Sequence, residues 1–63
     1  MKFRFVCQAY LWNRNFEGTQ AEAIAEVERL SNFHGVAFTV FTADGAKLGQ
    51  TLVPEPTFVF VEY

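Results

Sequence analysis

The chain has 63 residues, a formal charge of −2, and a composition that is 51% apolar and 17% aromatic. That apolar content excludes intrinsic disorder, and no run of about 18 apolar residues is present to cross a membrane as a helix. The cations Lys2, Arg4, Arg14, Arg29 and Lys47 are scattered, which argues against a nucleic-acid interface and its basic stripe.

Lys2 to Trp12 reads as the first strand. Alternation puts Phe3, Phe5, Cys7, Ala9 and Leu11 on one side, uniformly apolar and therefore facing the core. Arg4, Val6, Gln8, Tyr10 and Trp12 share the other side, where charge mixes with large amphipathic rings. Asn13 to Gly18, rich in asparagine and glycine, reads as a turn or loop.

Thr19-Gln20-Ala21-Glu22 matches a capping box, with Thr19 at N-cap and Glu22 reaching back from N3. Strong helix formers follow. Ala23, Ile24, Val27 and Leu30 form an apolar stripe that Ser31 extends, and Gly35 suits the left-handed stop. A helix over 20–33 is predicted, about 20 Å long, enough to cover one side of a small sheet.

Val36–Thr42 and Lys47–Val53 read as a hairpin around Ala43-Asp44-Gly45-Ala46. A two-residue loop opposes Val40 to Gly49 and Phe38 to Thr51. A three-residue loop with Gly45 left-handed opposes Val40 to Leu48 and Val36 to Leu52. The second is preferred, because it gathers Val36, Phe38, Val40, Leu48 and Leu52 on one side. Pro54-Glu55-Pro56 then breaks the ladder, since proline has no N–H to donate. Thr57 to Tyr63 is a last strand, with Phe58 and Phe60 on one side and Val59, Val61 and Tyr63 on the other. The expected fold is a single α+β domain, β-α-β-β-β or β-α-β-β, with one helix packed on one face of a small antiparallel sheet.

The helix can shield only one face. Val6, Tyr10, Trp12, Phe41, Val53, Val59, Val61 and Tyr63 remain for the other, more apolar surface than a monomer normally exposes. A domain this small buries only about 60% of its unfolded surface and usually needs reinforcement. Cys7 is the sole cysteine, so no internal disulfide exists, and with one histidine a zinc site would need a symmetry mate. Self-association, most simply a symmetric dimer, is the expectation, in a reduced, cytoplasmic setting. Lys2, Arg4 and Gln8 interrupt any signal-peptide h-region.

Chemistry is sparse. His34 at the helix end suits the dipole without a catalytic role. Cys7 lies mid-strand on the core side, where a thiol behaves as a small hydrophobe. Glu22 is explained by the capping box and Asp44 by the turn, while Glu26 and Glu28 read as a solvated helix face. No catalytic, cofactor or metal residue is assigned, and the chain is not expected to be an enzyme. The remaining signal is Tyr10-Leu-Trp-Asn-Arg-Asn-Phe-Glu17, because Trp12, Arg14 and Phe16 are residue types enriched at binding hot spots. With Tyr10, Phe41 and Tyr63 they form the predicted partner-binding set, Tyr10 and Trp12 serving either a target or the subunit interface.

Two functional expectations follow. The first is a small homo-oligomeric module that binds another protein, in the manner of an inhibitor or regulator. In size and style such a chain is similar to the small phage-encoded inhibitors of uracil-DNA glycosylase, which combine one helix with a short sheet and dimerise. The second is an oligomeric binder of a flavin-like aromatic. In length and β-α-β-β order the chain resembles the dodecins, whose many copies form a shell and stack flavins on a tryptophan. That family carries its tryptophan on the strand after the helix. Here that strand carries Phe38 and Phe41, and Trp12 precedes the helix, so no residue is carried over.

Overall fold

The computed structural model describes residues 1–61; Tyr63, predicted as a partner-binding residue, lies outside them. Among the described residues five strands form one antiparallel sheet in the order β2-β1-β3-β4-β5, and a helix covers one face. The elements are β1 (Lys2–Cys7), β2 (Asn13–Glu17), α1 (Gln20–His34), β3 (Phe38–Thr42), β4 (Lys47–Thr51) and β5 (Phe58–Phe60). The chain is thus an α+β domain, but its order is β-β-α-β-β-β, which corrects the expectation of a single strand before the helix.

The additional strand arises because β1 stops at Cys7 rather than Trp12. Residues 8–12 loop back, and Asn13–Glu17 pairs along β1 from Val6↔Asn13 to Lys2↔Glu17. Asparagine and glutamate are poor strand formers. A ladder to β1 and the stacking of Phe16 on Phe5 (centroids 5.5 Å, interplanar 23°) override that preference. Ala9 and Leu11 consequently leave the core side, where they were expected, and are exposed.

β2 and β3 both run antiparallel to β1 from either side, so α1 carries the chain across β1 on a single face. The capping box forms as predicted: Glu22 N–H donates to Thr19 Oγ1 (3.1 Å), and Thr19 N–H donates to Glu22 Oε1 (2.9 Å). Gly35 ends the helix at φ +69°, and its N–H donates to the Ser31 carbonyl. The helix buries Ala23, Val27, Leu30 and Ser31 against Phe3, Phe5, Cys7, Phe38, Val40 and Phe58.

One polar chain crosses this apolar core. Phe38 N–H donates to Thr51 Oγ1 (2.8 Å), Thr51 donates to Ser31 Oγ (3.0 Å), and Ser31 donates to the Val36 carbonyl (2.6 Å). It ties β3, β4 and α1 together while leaving both buried hydroxyls satisfied.

Both hairpin registers are used. Near the turn, Gly45 is left-handed (φ +88°), Thr42 N–H donates to the Ala46 carbonyl, and Phe41 faces Lys47, as the three-residue loop requires. A bulge between Val40 and Phe41 then shifts the ladder to Val40↔Gly49, the pairing of the two-residue loop. The shift sets Gly49 beneath the Phe58 ring and Thr51 beside Phe38. The preferred single register is therefore corrected beyond the bulge.

The helix-free face differs from the expected apolar surface. Its strands present Val6, Phe41 and Val59 among Arg4, Asn13, Asn15, Thr39, Lys47 and Gln50. Tyr10, Trp12 and Val53, assigned to this face by alternation, lie in loops at one end of the sheet instead.

Candidate functional site

Register places three loops at one end of the molecule. Cys7 pairs with Phe38, Phe38 is bonded to Thr51, and Thr51 pairs with Phe58. Residues 8–12, 33–37 and 52–57 therefore all leave the sheet on the same side. The first is held by Gln8 N–H to the Ala37 carbonyl (3.0 Å), Gln8 Nε2 to Thr39 Oγ1 (2.8 Å) and Cys7 N–H to the Trp12 carbonyl (3.0 Å).

At this end the Trp12 ring meets Phe38 edge-on (5.6 Å, 81°) and lies 5.6 Å from His34. His34 in turn packs against Phe33 at 4.9 Å. Cys7, Tyr10, Trp12, His34 and Phe38 wall an open hollow of about 250 Å³. At this end of the sheet Tyr10, Phe33, Leu52 and Val53 are exposed, and Leu11 at 110% stands fully clear of the surface. Within the three segments His34 and Glu55 are the only ionisable side chains apart from Tyr10.

A second, larger concavity of about 750 Å³ lies toward the opposite end. Lys2, Arg4, Val6, Asn15, Glu17 and Phe41 line it from the helix-free face, and the 42–45 turn closes one side. Phe41 and Val6 are half-buried and supply an apolar floor; Lys2, Arg4 and Glu17 supply a charged rim.

The predicted partner-binding residues thus fall in three places. Tyr10 and Trp12 belong to the loop end. Phe41 belongs to the helix-free face. Arg14 and Phe16 lie on the helix side of β2, where Phe16 stacks on Phe5 and Arg14 stands 3.9 Å from Glu26, and Phe16 also lines the concavity that Phe41 floors. Glu26 is further held by a two-pronged contact from Arg29, whose hydrogen bonds pull its carboxyl below the ordinary range. Glu28, expected to be solvated, accepts from the Phe58 N–H (2.8 Å) and closes that donor on the edge strand. The Thr19 N–H likewise lowers Glu22, and the Thr42 hydroxyl lowers Asp44.

Cys7 and His34, separate in sequence, wall the same hollow. Leu11, Phe33 and Leu52 join Tyr10, Trp12 and Val53 at the loop end, and Lys2, Arg4 and Asn15 join Phe41; apart from Val53, which alternation assigns to the helix-free face, none of the joining residues is singled out by sequence. The lack of charge in the three loop segments was visible in sequence, but their convergence was not. Among the described residues no group of three or more His, Cys, Asp or Glu side chains is placed to hold a metal ion, and no helix is long and apolar enough to cross a membrane. No protein-family model, curated protein or solved structure matches the chain.

Proposed function

We propose that this chain is a small self-associating interaction module that binds another protein through its helix-free face, in the manner of an inhibitor or regulator. The observation that carries the reading is Phe41, which with Val6 floors the concavity inside the Arg4–Lys2–Glu17 rim. An apolar centre within a polar rim is the anatomy of a non-obligate interface, and aromatic and arginine side chains are its usual anchors.

The test is stoichiometric co-purification of a tagged full-length chain from the cells that encode it, repeated with Phe41→Asp and with Leu11→Asp. A one-to-one partner that is retained by Leu11→Asp and lost with Phe41→Asp supports the reading. Recovery of the chain alone, or a partner indifferent to Phe41→Asp, overturns it.

A second reading, an oligomeric binder of a flavin-like aromatic, draws on the ring-lined hollow at Trp12. That hollow, about 250 Å³, is below the roughly 300–1,000 Å³ of ordinary ligand pockets, which ranks it second. Quenching of flavin fluorescence on mixing, lost in Trp12→Ala, would reverse the order.

A further inference from the structure

We infer that the loop end is the self-association surface and that two copies meet there about a two-fold axis, Leu11 of each entering the ring-lined hollow of the other. This rests on the self-association in the function proposed above and gives it a location, apart from the face assigned to the target.

Size comes first. A large aromatic presents about 150–250 Å². The exposures of Tyr10, Leu11, Trp12, Phe33, Leu52 and Val53 therefore leave on the order of 700 Å² of residue surface, spread over the three loops at this end. The largest apolar patch of a typical monomer is about 300–600 Å². Two such ends facing each other bury roughly 1,400 Å², within the 1,200–2,000 Å² class of specific interfaces. The helix-free face offers less, because its apolar groups are interleaved with Arg4, Asn13, Asn15, Lys47 and Gln50.

Shape supports the same occupant. Leu11 protrudes completely, while its neighbours Tyr10 and Trp12 wall the hollow beside it. A knob adjacent to a hole on one surface is self-complementary: a two-fold axis between them fills both holes at once. The hollow is bounded by five residues, four of them ring-bearing, and is roomy enough for one aliphatic side chain.

Charge agrees. The chain is net negative, so copies repel at long range, yet only Glu55 among the carboxylates lies in the three loop segments. Depletion of charge at the centre is what marks an interface core. The same segments contain no lysine or arginine to engage lipid phosphates, and a bilayer surface supplies no knob for the hollow. A second copy is therefore favoured over a membrane.

The experiment is sedimentation velocity on the full chain from about 1 to about 200 µM, since an oligomer's population follows concentration. Wild type should reach twice the 7.2 kDa chain mass. Leu11→Asp should raise the dimer dissociation constant at least about 100-fold, because it drives a carboxylate into an apolar hole. Its melting temperature in dilute solution should stay unchanged, since the exposed Leu11 side chain packs on nothing. Leu11→Met should dimerise as wild type does, and so should Phe41→Asp. Trp12, the only tryptophan, should shift its emission to the blue as wild type associates. A dimer abolished by Phe41→Asp but not by Leu11→Asp overturns this placement and leaves self-association standing. A wild-type monomer at every concentration overturns both. Co-sedimentation of a monomeric chain with phosphatidylcholine vesicles, lost in Leu11→Asp, overturns it in favour of a membrane surface.

Discussion

Replacing Gly49 with alanine tests how the last strand is seated. Gly49 pairs with Phe60 across β4 and β5, and the Phe58 ring lies directly over it. An added Cβ would overlap the carbonyl oxygen of Val59 and come within 2.6 Å of the Phe58 ring. A ring can swing aside, but a ladder carbonyl cannot, so β5 must separate from β4. Overpacking alone costs about 1–3 kcal/mol. If Phe58, which is 9% exposed, loses its seat as well, the cost approaches the roughly 3–5 kcal/mol of a phenylalanine truncated in a core. A domain of 63 residues has only about 3–9 kcal/mol of total stability. We expect Gly49→Ala to lose about 2–4 kcal/mol, a fall of at least about 10 °C in melting temperature for a domain of this size. Circular dichroism melts at several protein concentrations, with urea titration for the free energy, provide the measurement. A variant melting within about 4 °C of wild type would show that β5 does not pair with β4 in this register.

Thr51→Val should cost about 1–3 kcal/mol, because it leaves the buried Phe38 N–H without an acceptor. Ser31→Ala removes the bond from Thr51 and the bond to the Val36 carbonyl and should also destabilise; a wild-type urea midpoint in either variant would contradict the polar chain. Thr19→Ala should remove about 1 kcal/mol by uncapping α1, read as a lower thermal midpoint. Glu22 has its folded pKa depressed below the ordinary carboxylate value of 4.5 by the Thr19 backbone and hydroxyl. Its contribution is therefore present above that value and lost as pH falls through the folded one. Glu22→Gln should flatten the acid side of the stability profile below about pH 4.5 and leave its shape above unchanged.

The features legible along the chain are local. Thr19 and Glu22 satisfy each other three residues apart, Gly35 needs no Cβ at φ +69°, and Gly45 meets the same demand at the turn. Phe3, Phe5 and Cys7 alternate over a distance that any strand would read alike. Each of these rests on contacts within a few residues, so no knowledge of the rest of the chain is required. The end of β1 at Cys7 was not legible, because strand pairing of Asn13–Glu17 depends on a partner and on Phe16 finding Phe5, not on propensity. Nor was the split hairpin register, which a bulge adjusts so that Gly49 lies under Phe58 and Thr51 reaches Phe38. The candidate surfaces belong to the same class. Trp12 and Phe33, or Arg4 and Phe41, share a surface only because strand order returns distant segments to one end or one face. Alternation assigned Trp12 to the sheet when a loop had already carried it away. Side-chain direction within a strand follows from covalent geometry, whereas the neighbours a side chain meets follow from how the whole chain closes.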